Sequence, residues 1–279
     1  MGSVTQPAAE SKINAIKAEL ISSTPTVTPG KPFTLGVLFK IKPGWHTYWQ
    51  YAGDAGLPPE IEWKLPDGWS AGRILWPVPT KFTEKGPLTT YGYRDSVLLM
   101  TEVTPPATSS GISSAVITAN VDWLVCHDEC VPGKATLSLN LPISNTGSIS
   151  KQSSVSSNPR FRHWQQQLPV DPKVAGLITS LEAKRADDSD KIAKVTFRIS
   201  HAGGAVSNIV DWLPSPTEDF AVKKVIRTEE KAGTVFSFLF QSFKGPIPSG
   251  AELESLVVYR DGNGMQGGAA IVSQIKINP

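Results

Sequence analysis

At 279 residues the chain is about twice the usual length of one domain, which predicts two domains or one large β domain. Hydrophobic residues at 40% and charged residues at 19% exclude wholesale disorder, and a net charge of +2 leaves no electrostatic footprint for nucleic acid. No run of eighteen apolar residues reads as a transmembrane helix, and 23 Gly with 23 Pro suit many short strands better than long helices.

Met1-Gly2-Ser3 reads as a remnant of cloning, with no leader after it, so the native start is expected to have been cut away. Ile13, Ile16, Ala18 and Leu20 predict a strand, and the turn signals Thr24-Pro25 and Pro29-Gly30 separate it from the alternating run Phe33–Phe39. After the turn at Pro43-Gly44, Trp45-His46-Thr47-Tyr48-Trp49 is a strand dense in aromatics. Further strands are predicted over Ile61–Leu65, Arg73–Trp76, Ser96–Val103, Ala115–Val125 and Ala135–Leu141. Strands at this spacing, with turn residues between them, point to a β-sandwich.

Residues 144–158 are polar and small, the composition of a linker. Asn158-Pro159 then predicts a short helix to about Leu168, with Asn158 as N-cap, Pro159 at the first helical position and Pro169 as the stop. A second alternating set starts near Leu177. It continues through Val195–Ile199, Phe220–Ile226, Val235–Phe240, Leu253–Tyr259 and Ala269–Ile277, a second block of sandwich size. No repeat relates the halves, and the second has no cysteine. Gly262–Gly268 reads as a glycine-rich turn between strands, since no helix follows it to cradle a phosphate.

The chain has two cysteines, Cys126 and Cys130, in Val121-Asp-Trp-Leu-Val-Cys126-His-Asp-Glu-Cys130-Val-Pro-Gly133. A lone close pair suggests one intramolecular disulfide and an oxidising compartment. Four extended residue steps would span roughly 13 Å, and a disulfide needs Cα atoms about 4.4–6.8 Å apart, so the chain must fold back between them. The alternating flanks place the pair where a hairpin turns, on or beside a sheet edge. As a staple it would contribute only roughly 2 kcal/mol, because the loop it closes is so short. Short exposed disulfides belong to the labile and catalytic class. Zinc or copper held by Cys126, Cys130 and His127 is a weaker rival, with three ligands crowded into five residues.

The stretch Val121–Leu141 resembles the active-site strand pair in the N-terminal periplasmic region of the DsbD family of transmembrane thiol:disulfide reductases, with the ScsB-type members, linked to copper tolerance, as the nearest group. Pro43-Gly-Trp-His-Thr-Tyr-Trp49, Asp54-Ala-Gly-Leu-Pro-Pro59, Ile61–Gly68, Trp76-Pro-Val-Pro79 and Tyr91-Gly-Tyr-Arg94 extend the resemblance over about residues 12–142. It implies an immunoglobulin-like first domain and catalytic cysteines, Cys126 and Cys130, that cycle between dithiol and disulfide. Electrons would come from the membrane-embedded domain of the same full-length protein and pass to periplasmic thioredoxin-fold partners of the ScsC-like kind, with no cofactor and no metal. By the same resemblance Cys130 carries the mixed disulfide and Cys126 resolves it. A cap loop, Phe82–Gly92, would shield the pair, with Tyr91 as the cap aromatic and Phe82 second.

His46 and Tyr48 match strand positions that face the active site in these relatives, and Trp123 and His127 flank the pair in sequence. The other tryptophans read as packing. Asp54 and Glu84 are candidates to handle protons near the sulfurs, although single carboxylates in loops are more often solvated. The whole is therefore expected to be an all-β periplasmic fragment. It comprises a redox domain over residues 12–143, a Ser-rich linker with a short helix over 144–170, and a second immunoglobulin-like domain over 171–279. The rival is a two-domain binding module whose disulfide is purely structural.

Overall fold

The computed structural model describes residues 15–84, 86, 88–108, 113–144, 158–186, 189–201 and 206–278. Two compact units divide the chain, Met1–Gln167 and Leu168–Pro279. The Ser-rich stretch predicted as a linker lies outside the described residues from 145 to 157, as does Ile13 of the first predicted strand.

The first unit holds β1 (Ile16–Ser22), β2 (Phe33–Ile41), β3 (His46–Gly53), β4 (Glu60–Lys64), β5 (Ser70–Leu75), β6 (Thr80–Thr83), β7 (Thr89–Arg94), β8 (Ser96–Thr104), β9 (Ser114–Cys126) and β10 (Cys130–Pro142). They form two antiparallel sheets, one ordered β1-β2-β8-β5 and the other β10-β9-β3-β7-β6, with β4 also paired to β9. Side chains alternate between faces along a strand. Leu35, Val37 and Phe39 of β2 and Ala115, Ile117, Ala119 and Val121 of β9 are thus buried in the sandwich interior. Phe39 meets Trp123 edge-on, ring centroids 5.6 Å apart. This is the immunoglobulin-like sandwich that the strand spacing predicts.

The other face of β2 and β8 is covered too. The helix α1 (Pro159–Gln165) starts at Asn158, whose side chain accepts from the Arg160 N–H at 3.1 Å. Its Phe161 is fully buried, and a Cβ on Gly36 would fall 3.3 Å from the Phe161 ring and 2.6 Å from Leu98. Gly36 leaves the space the helix fills. The cap and the Pro159 start are those read from the sequence.

The second unit holds β11 (Leu177–Ala186), β12 (Ser189–His201), β13 (Val206–Ser215), β14 (Phe220–Glu230), β15 (Gly233–Ser242), β16 (Ala251–Asp261), β17 (Gln266–Ile275) and β18 (Ile277–Asn278). Its sheets are ordered β14-β15-β12-β11-β18 and β13-β16-β17. Trp212 packs among Phe197, Phe236 and Phe238 with ring centroids 4.8–5.4 Å apart. Two register shifts in β13 break its alternation, which is why that strand does not show in the pattern.

Candidate redox site

β9 and β10 form one long hairpin in which Cys126 and Cys130 are directly opposite each other, at the rung next to the His127-Asp128-Glu129 turn. Facing residues in an antiparallel pair lie about 4.5–5.5 Å apart at Cα, inside the span a disulfide needs. The pair can therefore be bridged without moving the backbone. In this structure both are free thiols, Cys126 buried and Cys130 exposed.

Register decides which residues join them. His46 of β3 pairs with Cys126 on one side and Arg94 of β7 on the other. Cys126, Cys130, His46, Tyr48 and Arg94 accordingly share the outer face of the sheet, away from the sandwich interior. Tyr48 is buried, and its hydroxyl lies 3.4 Å from Cys130 Sγ. A Cβ on Gly56, at φ +98°, would fall 2.2 Å from the Tyr48 ring. The loop after β3 thus closes directly over that ring.

The segment expected as a cap loop is in large part a β-hairpin, β6 paired with β7, with Lys85 and Pro87 of its turn outside the described residues. Phe82 opposes Thr90, while Tyr91 opposes Lys81 and so points to the other face of this ribbon. The aromatic of this hairpin on the cysteine face is Phe82. It stacks on His46 with centroids 4.5 Å apart, and the Arg94 guanidinium lies 5.0 Å from its ring. Of the two aromatics expected to cap the pair, register puts Phe82 on the face of the thiols and Tyr91 on the opposite face of the ribbon.

Glu84 is not a solvated loop carboxylate. Its Oε1 accepts from Thr90 Oγ1 at 2.8 Å and lies 3.1 Å from His46 Nε2. Asp54 accepts from the Thr89 N–H at 2.8 Å and ties the loop after β3 to the start of β7. His127 packs on Trp45, centroids 5.6 Å apart, with Nδ1 2.7 Å from Asp128 Oδ2. Trp123 faces the sandwich interior, and a Cβ on its opposite residue Gly133 would fall 2.4 Å from its indole nitrogen. Thr90 and Arg94 received no role from the sequence, whereas Glu84 was already a candidate for handling protons near the sulfurs. Only the pairing of β7 with β3 brings them in. Among the described residues, no three His, Cys, Asp or Glu side chains are grouped to hold a metal ion.

Burial pushes the Cys126 thiol up to about 11, helped by its hydrogen bond with Cys130 and the charge of Glu84, and opposed by the Tyr48 hydroxyl. Tyr48 is also held well above its usual range by burial and by its bonds to the two sulfurs. It remains a proton donor at any working pH. Burial lowers His46 below the usual histidine value, with Glu84 pulling it up and Arg94 and His127 pushing it further down. His46 is a neutral imidazole near pH 7.

A buried thiol and an exposed thiol on facing residues, beneath a hydroxyl donor, form a site for reversible sulfur chemistry. Residues 17–142 match the family model described as the N-terminal part of the thiol:disulfide interchange protein DsbD. These residues form a DsbD-type N-terminal domain. The DsbD-type domain is thereby a thiol:disulfide interchange domain. The whole chain is similar in structure to the N-terminal periplasmic domain of ScsB from Proteus mirabilis. Sequence identity is 15%, the TM-score is 0.64, and the match covers 96% of each chain, a likeness that shows the fold. A protein of unknown function from Porphyromonas gingivalis W83 matches at 9% identity and TM-score 0.24, over 94% of this chain and 100% of that one. A conserved domain protein from Bacillus anthracis matches at 9% identity and TM-score 0.24, over 98% and 91%. Neither carries an argument about shape or function. No curated protein matches the sequence significantly. No helix among the described residues is long and apolar enough to cross a membrane.

Proposed function

We propose that the DsbD-type domain is a periplasmic protein-disulfide reductase module of a larger membrane protein, ScsB-like in its role in copper tolerance. It receives two electrons from a membrane-embedded cysteine pair of that protein. It passes them to periplasmic thioredoxin-fold partners of the ScsC-like kind.

The observation that supports this reading is the asymmetry of the pair, with Cys130 exposed beneath the Tyr48 hydroxyl and Cys126 buried opposite it. The Cys130 thiolate attacks one sulfur of the partner's disulfide, whose other sulfur leaves as a thiolate. Cys126 then attacks Cys130 Sγ. The Cys126–Cys130 bond forms, the bond to the partner breaks, and the partner leaves as a dithiol, reduced by two electrons. The membrane-embedded pair reverses this sequence to restore the Cys126–Cys130 dithiol.

Redox titration in glutathione buffers tests the reading. A potential above about −300 mV is expected, since purely structural disulfides usually lie below that value. With Cys126→Ala, an oxidised thioredoxin-fold partner should be trapped on Cys130 as a stable mixed disulfide. A pair that stays oxidised throughout glutathione buffers, with nothing trapped, would return the domain to a binding module with a structural cross-link.

A further inference from the structure

Resolution requires a proton to leave Cys126, and the outer face of the sheet offers few groups to take it. Tyr48 holds its own proton through burial and its bonds to the sulfurs. Arg94 is a permanent cation. His127 is turned onto Trp45 and Asp128. His46 is different. It is the strand neighbour of Cys126, directly opposite it in the antiparallel register, so the two Cβ atoms lie about 4.5–5.5 Å apart on one face. Its ring is only 7% exposed with its residue, sandwiched between the Tyr48 ring at 5.3 Å and the Phe82 ring at 4.5 Å.

His46 Nε2 is buried and stands 3.1 Å from Glu84 Oε1. Glu84 is itself anchored by the Thr90 hydroxyl at 2.8 Å. A proton arriving on this imidazole would meet a carboxylate already in place, the arrangement of a base oriented and charge-balanced by an acid residue. Burial favours the neutral, proton-accepting ring near pH 7.

We infer that His46 accepts the proton of Cys126 when the buried thiol resolves a mixed disulfide on Cys130, and that Glu84 is the positioning residue that steadies the imidazolium. The inference rests on the exchange function proposed above. In the step, the Cys126 S–H bond breaks and its proton passes to His46. The sulfur's electron pair forms the bond to Cys130 Sγ. The bond from Cys130 to the partner breaks with its pair on the partner's sulfur, which takes its proton from the imidazolium or from water. When the domain is reduced again, the imidazolium returns a proton to Cys126. The titratable and charged groups around His46 are Glu84, Arg94, His127, Tyr48 and the two thiols; Glu84 raises its proton affinity, and Arg94 and His127 lower it.

The two steps separate cleanly with dithiobis(nitrobenzoate), which releases one coloured thiolate on attack by Cys130 and a second when Cys126 resolves. In the reduced wild type, two equivalents are expected. The second phase should slow as pH falls through an inflection below about 6.5, where His46 gains its proton. Cys126→Ser should release one equivalent. His46→Gln should keep the first phase but slow the second by about a hundredfold, the lower end of general-base effects, and lose the inflection. Glu84→Gln changes a more exposed residue, and should keep the inflection but move it to lower pH. Two equivalents with an unchanged pH profile in His46→Gln would overturn the relay alone. One equivalent from wild type would overturn the relay together with the exchange function beneath it.

Discussion

The Tyr48 hydroxyl lies 3.4 Å from Cys130 Sγ, with its ring buried and the sulfur exposed to solvent. The two can share a hydrogen bond, and one made to a charged group is worth about 1.5–3 kcal/mol. Tyr48→Phe removes this bond and keeps the ring that fills the site. It should slow exchange at Cys130 by about tenfold or more, since each 1.4 kcal/mol is about a factor of ten. Thermal stability should stay close to that of wild type. Alkylation of Cys130 followed by mass spectrometry would show the loss. An unchanged rate would mean the hydroxyl only packs.

Phe82 shares the face of the sheet that carries the thiols, held by the His46 stack and by Arg94. If it shields them, a partner must displace it and the open form is a minor state. Phe82→Ala should raise the reaction rate of the pair with a small disulfide by about tenfold or more, the inverse of an open population of ~10% or less. Tyr91→Ala, on the opposite face of the ribbon, should not produce this acceleration. If the two substitutions act alike, the face assignment is wrong.

The reduced protein should lose stability at both ends of the pH scale for different reasons. Cys126 is raised to about 11, so between its ordinary 9.0 and that value the folded form binds more protons than the unfolded chain. Stability is then full below about 9 and falls as pH rises toward 11. His46 is lowered, so below its ordinary 6.5 the unfolded chain binds more protons and stability falls as pH drops. Urea unfolding of reduced protein across this range should trace both limbs. Cys126→Ala should flatten the alkaline limb, and a slope that persists there would place its cause elsewhere.

Gly56→Ala tests the loop that covers Tyr48. Its φ of +98° is a region that favours glycine, and the new Cβ would fall 2.2 Å from the Tyr48 ring. The backbone cost is of order 1–3 kcal/mol, and either the loop or the ring must move. Exchange at Cys130 should slow together with the loss of stability measured by denaturant. Wild-type exchange in a destabilised variant would show that the loop yields and the tyrosine stays.

How much of the site was legible in the residues depended on the distance over which each part is encoded. The short spacing of Cys126 and Cys130 between two alternating runs already demanded a reversal of the chain, and the hairpin supplies it. The strand His46–Tyr48 was visible through its aromatics. The β6–β7 hairpin read as a loop because Lys85-Gly86-Pro87 and Gly92 interrupt its alternation. Its strand character comes from pairing with β3, across more than forty residues of chain. Whether Glu84 is solvated or serves the sulfurs stayed open in the sequence for the same reason, since nothing within its own segment announces His46 as a neighbour.

Composition and local pattern by themselves determined an all-β chain, the helix opened by Asn158-Pro159, and a cysteine pair held at a bend, because alternation, capping and turn chemistry act between residues close in sequence. Tertiary structure alone decided that Phe82 and not Tyr91 shares the face of the thiols, that Trp123 turns inward, and that Glu84 meets His46. Those outcomes depend on strand register, where a shift of one residue sends every side chain to the opposite face of the sheet.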